Sequence, residues 1–459
     1  MSPLEIGLLI GLVTILLLGT GMSIAFGLGF VAVAFLVAFQ GPDSLGILAE
    51  KFFGGIASFA LVALPMFILM GAAVASSPAG RDLYIALDRW LNRVPGGIVI
   101  ANLSACSVFA ALSGSSPATC AAIGKMGIPE MRKRGVPDDL ATGSIAAGGT
   151  LGILIPPSIT MIVYGVATET SIGRLFLAGV GPGILLTLMF IGWTLFLAWR
   201  RGWHFGDGTE SRAARQGGRD GGFSDMARRF SFREKFAVLP KVLPFLAIIV
   251  GILYVLYGGV ATPSEAAGVG AMFCVVLVVV IYRMWRPGEL WNIFRDSTRE
   301  SVMIMMIIAA SELFSYMMSS LYVTQAVAAG IAALEINRWL LLGVINVFLL
   351  VIGCFLPPVA IILMTAPILY PIVVQSGFDP YWFAVILTVN MEIGLITPPV
   401  GLNLFVINGI APDVKLPTIL RGALPFVLLM ALGIVILCVF PGIATWLPDT
   451  LLGPATLAK

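Results

Sequence analysis

Three pairs of adjacent prolines interrupt the apolar stretches of this chain. They are Pro156-Pro157 in GGTLGILIPPS (148–158), Pro357-Pro358 in GCFLPPVA (353–360) and Pro398-Pro399 in IGLITPPVGLN (393–403). Proline lacks a backbone N–H and its ring clashes with the preceding turn, so a helix does not run smoothly through it. The residue before it is also driven out of helical conformation. The stretches are membrane-embedded. Of the 459 residues, 59% are hydrophobic and 11% charged, against about 25% charged in a soluble domain. Apolar runs of roughly 20 residues, long enough to span a bilayer, recur along the length. In hydrocarbon, non-helical backbone is tolerated only where protein or a water-filled cavity surrounds it. The prolines therefore predict an all-α polytopic membrane protein with re-entrant hairpins and broken helices.

Composition removes several function classes. A net charge of +3 does not suit nucleic acid. The five cysteines show no CxxC spacing, and the single histidine, His204, lies in a basic loop, so no metal centre or cofactor is expected. Neither an H-E-x-x-H motif nor a P-loop is present, which argues against an intramembrane zinc protease and against ATP-driven transport. The N-terminus carries Glu5 and no basic region, and reads as an uncleaved first span. Ten Lys or Arg residues lie between Arg200 and Lys241, which places that loop in the cytoplasm. A short basic amphipathic helix is expected near Phe230 and Phe236. Lys125, Arg132, Lys133 and Arg134 form a second basic loop, expected on the same face.

The proline breaks recur at a constant offset. Gly152-x-x-x-Pro156-Pro157 and Gly394-x-x-x-Pro398-Pro399 are 242 residues apart. LAGVGP and LRGALP, ending at Pro182 and Pro425, are 243 apart, and Gly114 and Gly353 are 239 apart. Three landmarks in register argue for a duplicated unit joined by the basic loop. Paired interrupted segments in two halves of a membrane chain point to a transporter's binding site.

A helix break supplies chemistry without ionised side chains. The freed carbonyls before it carry partial negative charge and suit a cation, while the new N-terminus after it suits a carboxylate. Small polar residues and glycines flank each break. In the first copy they are Ser113, Gly114, Ser115, Ser116, Thr119, Gly149, Thr150, Gly152 and Ser158, around Pro156 and Pro157. In the second they are Gly353, Asn390, Gly394, Thr397, Gly401 and Asn403, around Pro398 and Pro399. These are the candidate residues for sodium and substrate. Embedded carboxylates are costly and are functional candidates by default, which adds Glu312 and Glu392. Glu169 and Glu265 read as helix-start caps.

At these same residues the chain resembles the large membrane subunit of tripartite ATP-independent periplasmic (TRAP) transporters. The resemblance rests on ALPMFILMG (63–71), FAALSGSSPATCAAIG (109–124), GGTLGILIPPSITMIVYG (148–165), SIGRLFLAGVGPG (171–183), TPSEAAGVGA (262–271), APILYPIV (366–373) and NMEIGLITPPVGLNLFVI (390–407). It implies two inverted structural repeats, each with a hairpin and a broken helix, in an elevator-type transporter of the bacterial inner membrane. It further implies Na⁺ as coupling ion and an organic acid as substrate. The implied partners are a small membrane subunit on a separate chain and a periplasmic substrate-binding protein. The expected organisation is scaffold helices over 1–50, a first repeat over 51–199 and the basic loop over 200–241. A second repeat over 242–446 and a tail over 447–459 follow. One departure stands out. Where many members read G-x-F-L-D, this chain has Gly353-Cys-Phe-Leu-Pro357, so the cation count is open. A stand-alone Na⁺/carboxylate symporter and a passive anion channel are the competing readings.

Overall fold

A computed structural model describes residues 1–200, 231–333 and 336–454; His204 and most of the basic loop lie outside them. All regular elements among the described residues are helices. The first half comprises α1 (Pro3–Gly19), α2 (Ile24–Gln40), α3 (Leu48–Ile56), α4 (Ala63–Ala75), α5 (Ala79–Leu91), α6 (Gly97–Ser113), α7 (Ser116–Lys133), α8 (Asp138–Thr150), α9 (Ile159–Ala167) and α10 (Ile172–Arg200). After the short α11 (Phe232–Phe236), the second half comprises α12 (Leu239–Tyr257), α13 (Pro263–Tyr282), α14 (Pro287–Ser320), α15 (Val323–Ala333), α16 (Arg338–Gly353), α17 (Pro358–Gln375), α18 (Pro380–Leu395), α19 (Leu402–Ile410) and α20 (Leu416–Val439). Helix α21 (Gly442–Leu452) closes the chain.

The two halves are inverted repeats of one unit. Helices α6 and α7 form a hairpin, α8 and α9 a broken helix, and α10 a long span. Helices α16 to α20 repeat that order. Outside these units, α1 and α2 answer to α12 and α13, and the bent pair α3–α4 answers to α14. That pair bends by 54° between Ile56 and Phe59, so this apolar stretch is two helices rather than one.

Local signals start several of these helices. At α13 the Thr262 hydroxyl accepts from the Glu265 N–H at 3.3 Å, and the Glu265 carboxylate accepts from the Thr262 N–H at 2.8 Å. This reciprocal pair satisfies two otherwise orphaned donors, so Glu265 caps as expected. Glu169 does not. It sits in left-handed conformation (φ +54°) beyond the end of α9, and Ser171 instead accepts from the Arg174 N–H at the start of α10. The expected basic amphipathic segment is present as the short α11, opened by a capping box of Ser231 and Glu234.

The halves interlock. Helix α9 packs on α17 of the other half, and α19 packs reciprocally on α7. Helix α8 lies along α20, and α18 along α10. The α8–α20 approach is close enough that a methyl on Gly143 or Gly422 would strike the facing backbone. Small residues at such crossings let membrane helices gain van der Waals contact, the term that replaces hydrophobic drive in lipid. Phe190 of α10 and Phe426 of α20 meet edge to face at 5.2 Å, both fully buried. Around this body, α14 packs on α2, α3 and α4, and α13 packs on α4 and α12.

Candidate functional site

Each hairpin tip is fastened to the break that follows it, in the same way in both halves. Gly114 ends α6 with a left-handed backbone (φ +59°), which glycine adopts without the steric cost of a Cβ. Its carbonyl accepts from the Ile159 N–H, just past Pro156-Pro157, at 3.4 Å. In the second half the Cys354 carbonyl accepts from the Val400 N–H, just past Pro398-Pro399, at 3.1 Å. Both proline pairs contain a cis peptide bond. The glycine four residues before each pair lies against the tip. A Cβ on Gly152 would stand 2.6 Å from the Ser115 carbonyl oxygen, and one on Gly394 2.5 Å from that of Gly353. The G-x-x-x-P-P pattern is thus a seat for the opposite strand of the hairpin followed by a helix stop.

At the first tip the polar side chains close on one another. Ser113 and Thr119 share a hydrogen bond at 2.7 Å, and both hydroxyls reach the Ser115 carbonyl, at 3.3 and 2.9 Å. Ser116 donates to the Thr150 carbonyl at 2.9 Å, tying the tip to the last turn of α8. Ser158 caps α9, accepting from the Met161 N–H at 3.2 Å while its hydroxyl donates to the Ile153 carbonyl. Ser113, Ser116, Thr119, Thr150 and Ser158 are all buried. Gly149 is pinned too, because a methyl there would run into Cys120.

The second site is built differently. Asn390 donates to the carbonyl and the side-chain oxygen of Asn346 on α16, at 2.9 and 3.0 Å. Asn403, at the start of α19, donates across the repeat boundary to the Ala146 carbonyl of α8 at 3.2 Å. Thr397 donates to the Ile393 carbonyl at 2.6 Å, and Gly401 opens α19 in left-handed conformation (φ +55°). Pro398 and Pro399 are exposed where Pro156 and Pro157 are buried, so the two breaks differ in access.

Several buried atoms here lack a hydrogen-bonding partner: Asn390 Oδ1, Asn403 Oδ1 and both carboxylate oxygens of Glu392, itself fully buried. All are acceptors. No lysine, arginine or histidine of α6–α10 or α16–α20 is buried among the described residues. A lone carboxylate in such a place is too costly to stand ionised without a positive charge beside it, and carboxylate and amide oxygens are ligands that an alkali cation takes. Glu312 does not join this site. It is exposed on α14, where its side chain lies against Gly55 of α3. Asn346, the partner of Asn390, was missed by patterning around the breaks; a lone amide in RWLLLGVINVFLL was the available signal.

The family model of the tripartite ATP-independent periplasmic transporter, DctM component, matches residues 10–443. The chain belongs to this family. It is a TRAP transporter large permease, a multi-pass protein of the inner membrane and not an enzyme. It is 38% identical to the C4-dicarboxylate TRAP transporter large permease protein DctM of Pseudomonas aeruginosa, over 89% of this chain and 91% of that one. It is 29% identical to the sialic acid large permease SiaM of Vibrio cholerae, covering 95% and 97%. The ectoine large permease TeaC of Halomonas elongata is likewise 29% identical, with 98% and 99% covered. Among solved structures, the YdaH transporter of Alcanivorax borkumensis superposes with a TM-score of 0.65 over 91% of each chain at 18% identity, a likeness of fold.

Proposed function

We propose that this permease imports an organic acid by Na⁺ symport, receiving it from a periplasmic binding protein and working with a small membrane subunit on a separate chain. One observation carries the reading. Two hairpin tips are fastened backbone to backbone against two proline breaks, and in the second half Asn390, Asn403 and Glu392 have unpartnered acceptor atoms, with no buried cationic side chain on α6–α10 or α16–α20 among the described residues. Ser113, Ser115, Thr119, Thr150 and Ser158 in one half, with Asn390, Thr397, Asn403 and Glu392 in the other, are the groups we assign to cation and carboxylate. Hydroxyl, amide and carbonyl oxygens are the hard ligands that an alkali ion takes. Relatives named for C4-dicarboxylate and sialic acid support a carboxylate substrate. The interlocked helices α6–α10 and α16–α20 form the body that moves, against α1–α4 and α12–α14 as scaffold.

Energetics sets a minimum ion count. One charge crossing ~100 mV is worth about 2.3 kcal/mol, and a tenfold Na⁺ gradient adds about 1.4 kcal/mol. A single Na⁺ therefore supplies roughly 3.7 kcal/mol, of which a monocarboxylate anion consumes about 2.3 against the same potential. About 1.4 kcal/mol remains, which supports tenfold accumulation only. Two Na⁺ leave about 5.1 kcal/mol, several thousandfold. At least two Na⁺ per substrate are expected. The test is a reversal-potential measurement on reconstituted transporter, and a ratio of one or below contradicts that minimum.

A further inference from the structure

Helix α14 is longer than a bilayer core requires. Its 34 residues make about 51 Å of helix, against a hydrocarbon core of about 30 Å. Apart from Glu312, all its charged residues precede Ser301. Residues 301–320 therefore fill the core, and 287–300 stand outside it. These outer turns are cytoplasmic. Helix α13 leads into them, and at its end the Tyr282 hydroxyl donates to Asp82, which pairs with Lys241 beside the basic loop.

The foot of α14 is held against the body along one side and open on the other. Ile293, Ser297, Ser301 and Ile304 form a buried stripe. On the open side Val302, Met303 and Met306 are exposed apolar residues, which marks that side as the one facing lipid. Followed outward, the same side carries Arg299, Thr298, Arg295 and Trp291, all exposed. Arg299 is two residues before Ser301 and Arg295 six, about 3 and 9 Å along the helix. The headgroup layer outside the core is about 5–8 Å thick. An arginine side chain from either position therefore ends among headgroups. Trp285 and Trp291, 64 and 66% exposed, flank this level, where indoles settle.

The positive charge on this side is little opposed. Arg299 forms no ion pair with a described residue, and neither do Arg283 and Arg286 in the link before α14. Arg295 pairs with Asp296 at 3.0 Å, but their side chains are 56 and 63% exposed, and water screens such a contact to little net worth. Consecutive helical residues point about 100° apart, so Asp296 reaches Arg295 from round the side of the helix. Glu289 and Glu300 are half-buried. The adjacent cytoplasmic leaflet carries the anionic lipids.

We propose that the foot of α14 is a docking surface for anionic phospholipid of the cytoplasmic leaflet. The guanidinium groups of Arg295 and Arg299 take the phosphodiester, and the acyl chains run inward along Val302, Met303 and Met306. The planar fork of arginine matches phosphate oxygens in pairs. Near an anionic surface each basic residue is worth about a fivefold change in affinity, so the two arginines together give about twentyfold. A zwitterionic lipid carries its own cation to the same place and forfeits most of that gain.

Fluorescence quenching at the foot itself tests the proposal. The full-length chain carries a bimane label at T298C, between the two arginines, in a C438S background because the other cysteines are buried. It is reconstituted into phosphatidylcholine vesicles holding a small, equal fraction of spin-labelled phosphatidylglycerol or spin-labelled phosphatidylcholine. Phosphatidylglycerol is expected to quench at least fivefold more effectively. R295Q/R299Q is expected to bring the two lipids within twofold. K133Q, a basic side chain elsewhere on the cytoplasmic face, is expected to keep the preference. D296N removes the competing acid and is expected to strengthen the preference, a gain that a folding defect cannot imitate. Equal quenching by the two lipids, or an unchanged preference in R295Q/R299Q, overturns the proposal. A preference lost equally in K133Q overturns it too, since the effect is then one of overall charge. Loss of quenching when the small membrane subunit is added also overturns it, since a protein then covers the foot.

Discussion

Substituting Gly394 by alanine tests the tip-to-break contact where it is tightest. The added methyl would stand 2.5 Å from the Gly353 oxygen, 2.6 Å from its carbonyl carbon and 3.0 Å from its Cα. All three are backbone atoms, so no side chain can swing aside, and α16 must move away from α18 by roughly a Cβ radius. Overpacking of this kind costs about 1–3 kcal/mol. We place G394A at the upper end, because the shift also stretches the 3.1 Å bond from the Val400 N–H to the Cys354 carbonyl and loosens the tip. Gly343 lies on the same helix α16 with nothing within 4 Å of its Cβ position. There alanine should be neutral, or stabilising by up to about 1 kcal/mol through helix propensity. The assay is Na⁺-driven uptake into liposomes holding the permease and its small subunit, with thermal unfolding measured in parallel. G394A is expected to lose most uptake and to unfold at lower temperature, while G343A keeps both. By the repeat, G152A should behave like G394A. Native uptake and native stability in G394A would refute the contact as the element that fixes the site.

Further outcomes follow from the same geometry. S158A removes the cap of α9 and should cost about 1 kcal/mol, read as a lower unfolding temperature together with a raised Na⁺ requirement for uptake. E392Q keeps the shape of a fully buried side chain but removes its charge; the Na⁺ concentration for half-maximal uptake should rise about tenfold, a cost of about 1.4 kcal/mol, while E312Q leaves it unchanged. N403L deletes the bond to the Ala146 carbonyl and should cost about 1 kcal/mol, the net worth of one hydrogen bond, measured by thermal unfolding. D88N breaks the two-pronged pair with Arg134, at 2.7 and 2.8 Å, that joins α5 to the end of α7. With Arg134 partly exposed, about 2 kcal/mol is expected rather than the larger cost of a fully buried pair.

Proline made the breaks readable. Pro156-Pro157 and Pro398-Pro399 stop a helix for local reasons, so their positions, the half-length segments and the duplicated unit were all visible in one dimension. The glycine four residues ahead was visible as a pattern, but the reason for it, backbone contact with Ser115 or Gly353, needed the third dimension. The crossing of α9 onto α17 and of α19 onto α7 joins segments some 200 residues or more apart, and no local periodicity encodes it. Helix α5 escaped an apolar search because its exposed face carries Arg81 and its buried face Asp82 and Asp88. The apolar run of α14 starts only near residue 301, well inside the helix, because its first turns, GELWNIFRDSTRE, are too polar to register as a span. Asn346 was passed over because nothing in its own sequence says that it faces Asn390.

Uptake of a labelled organic acid into liposomes containing the permease and its small subunit, with and without a Na⁺ gradient and with and without the periplasmic binding protein, tests the central claim most directly. The account predicts accumulation only when both the inward Na⁺ gradient and the binding protein are present. Accumulation with Na⁺ alone, or equal uptake without any gradient, would contradict it.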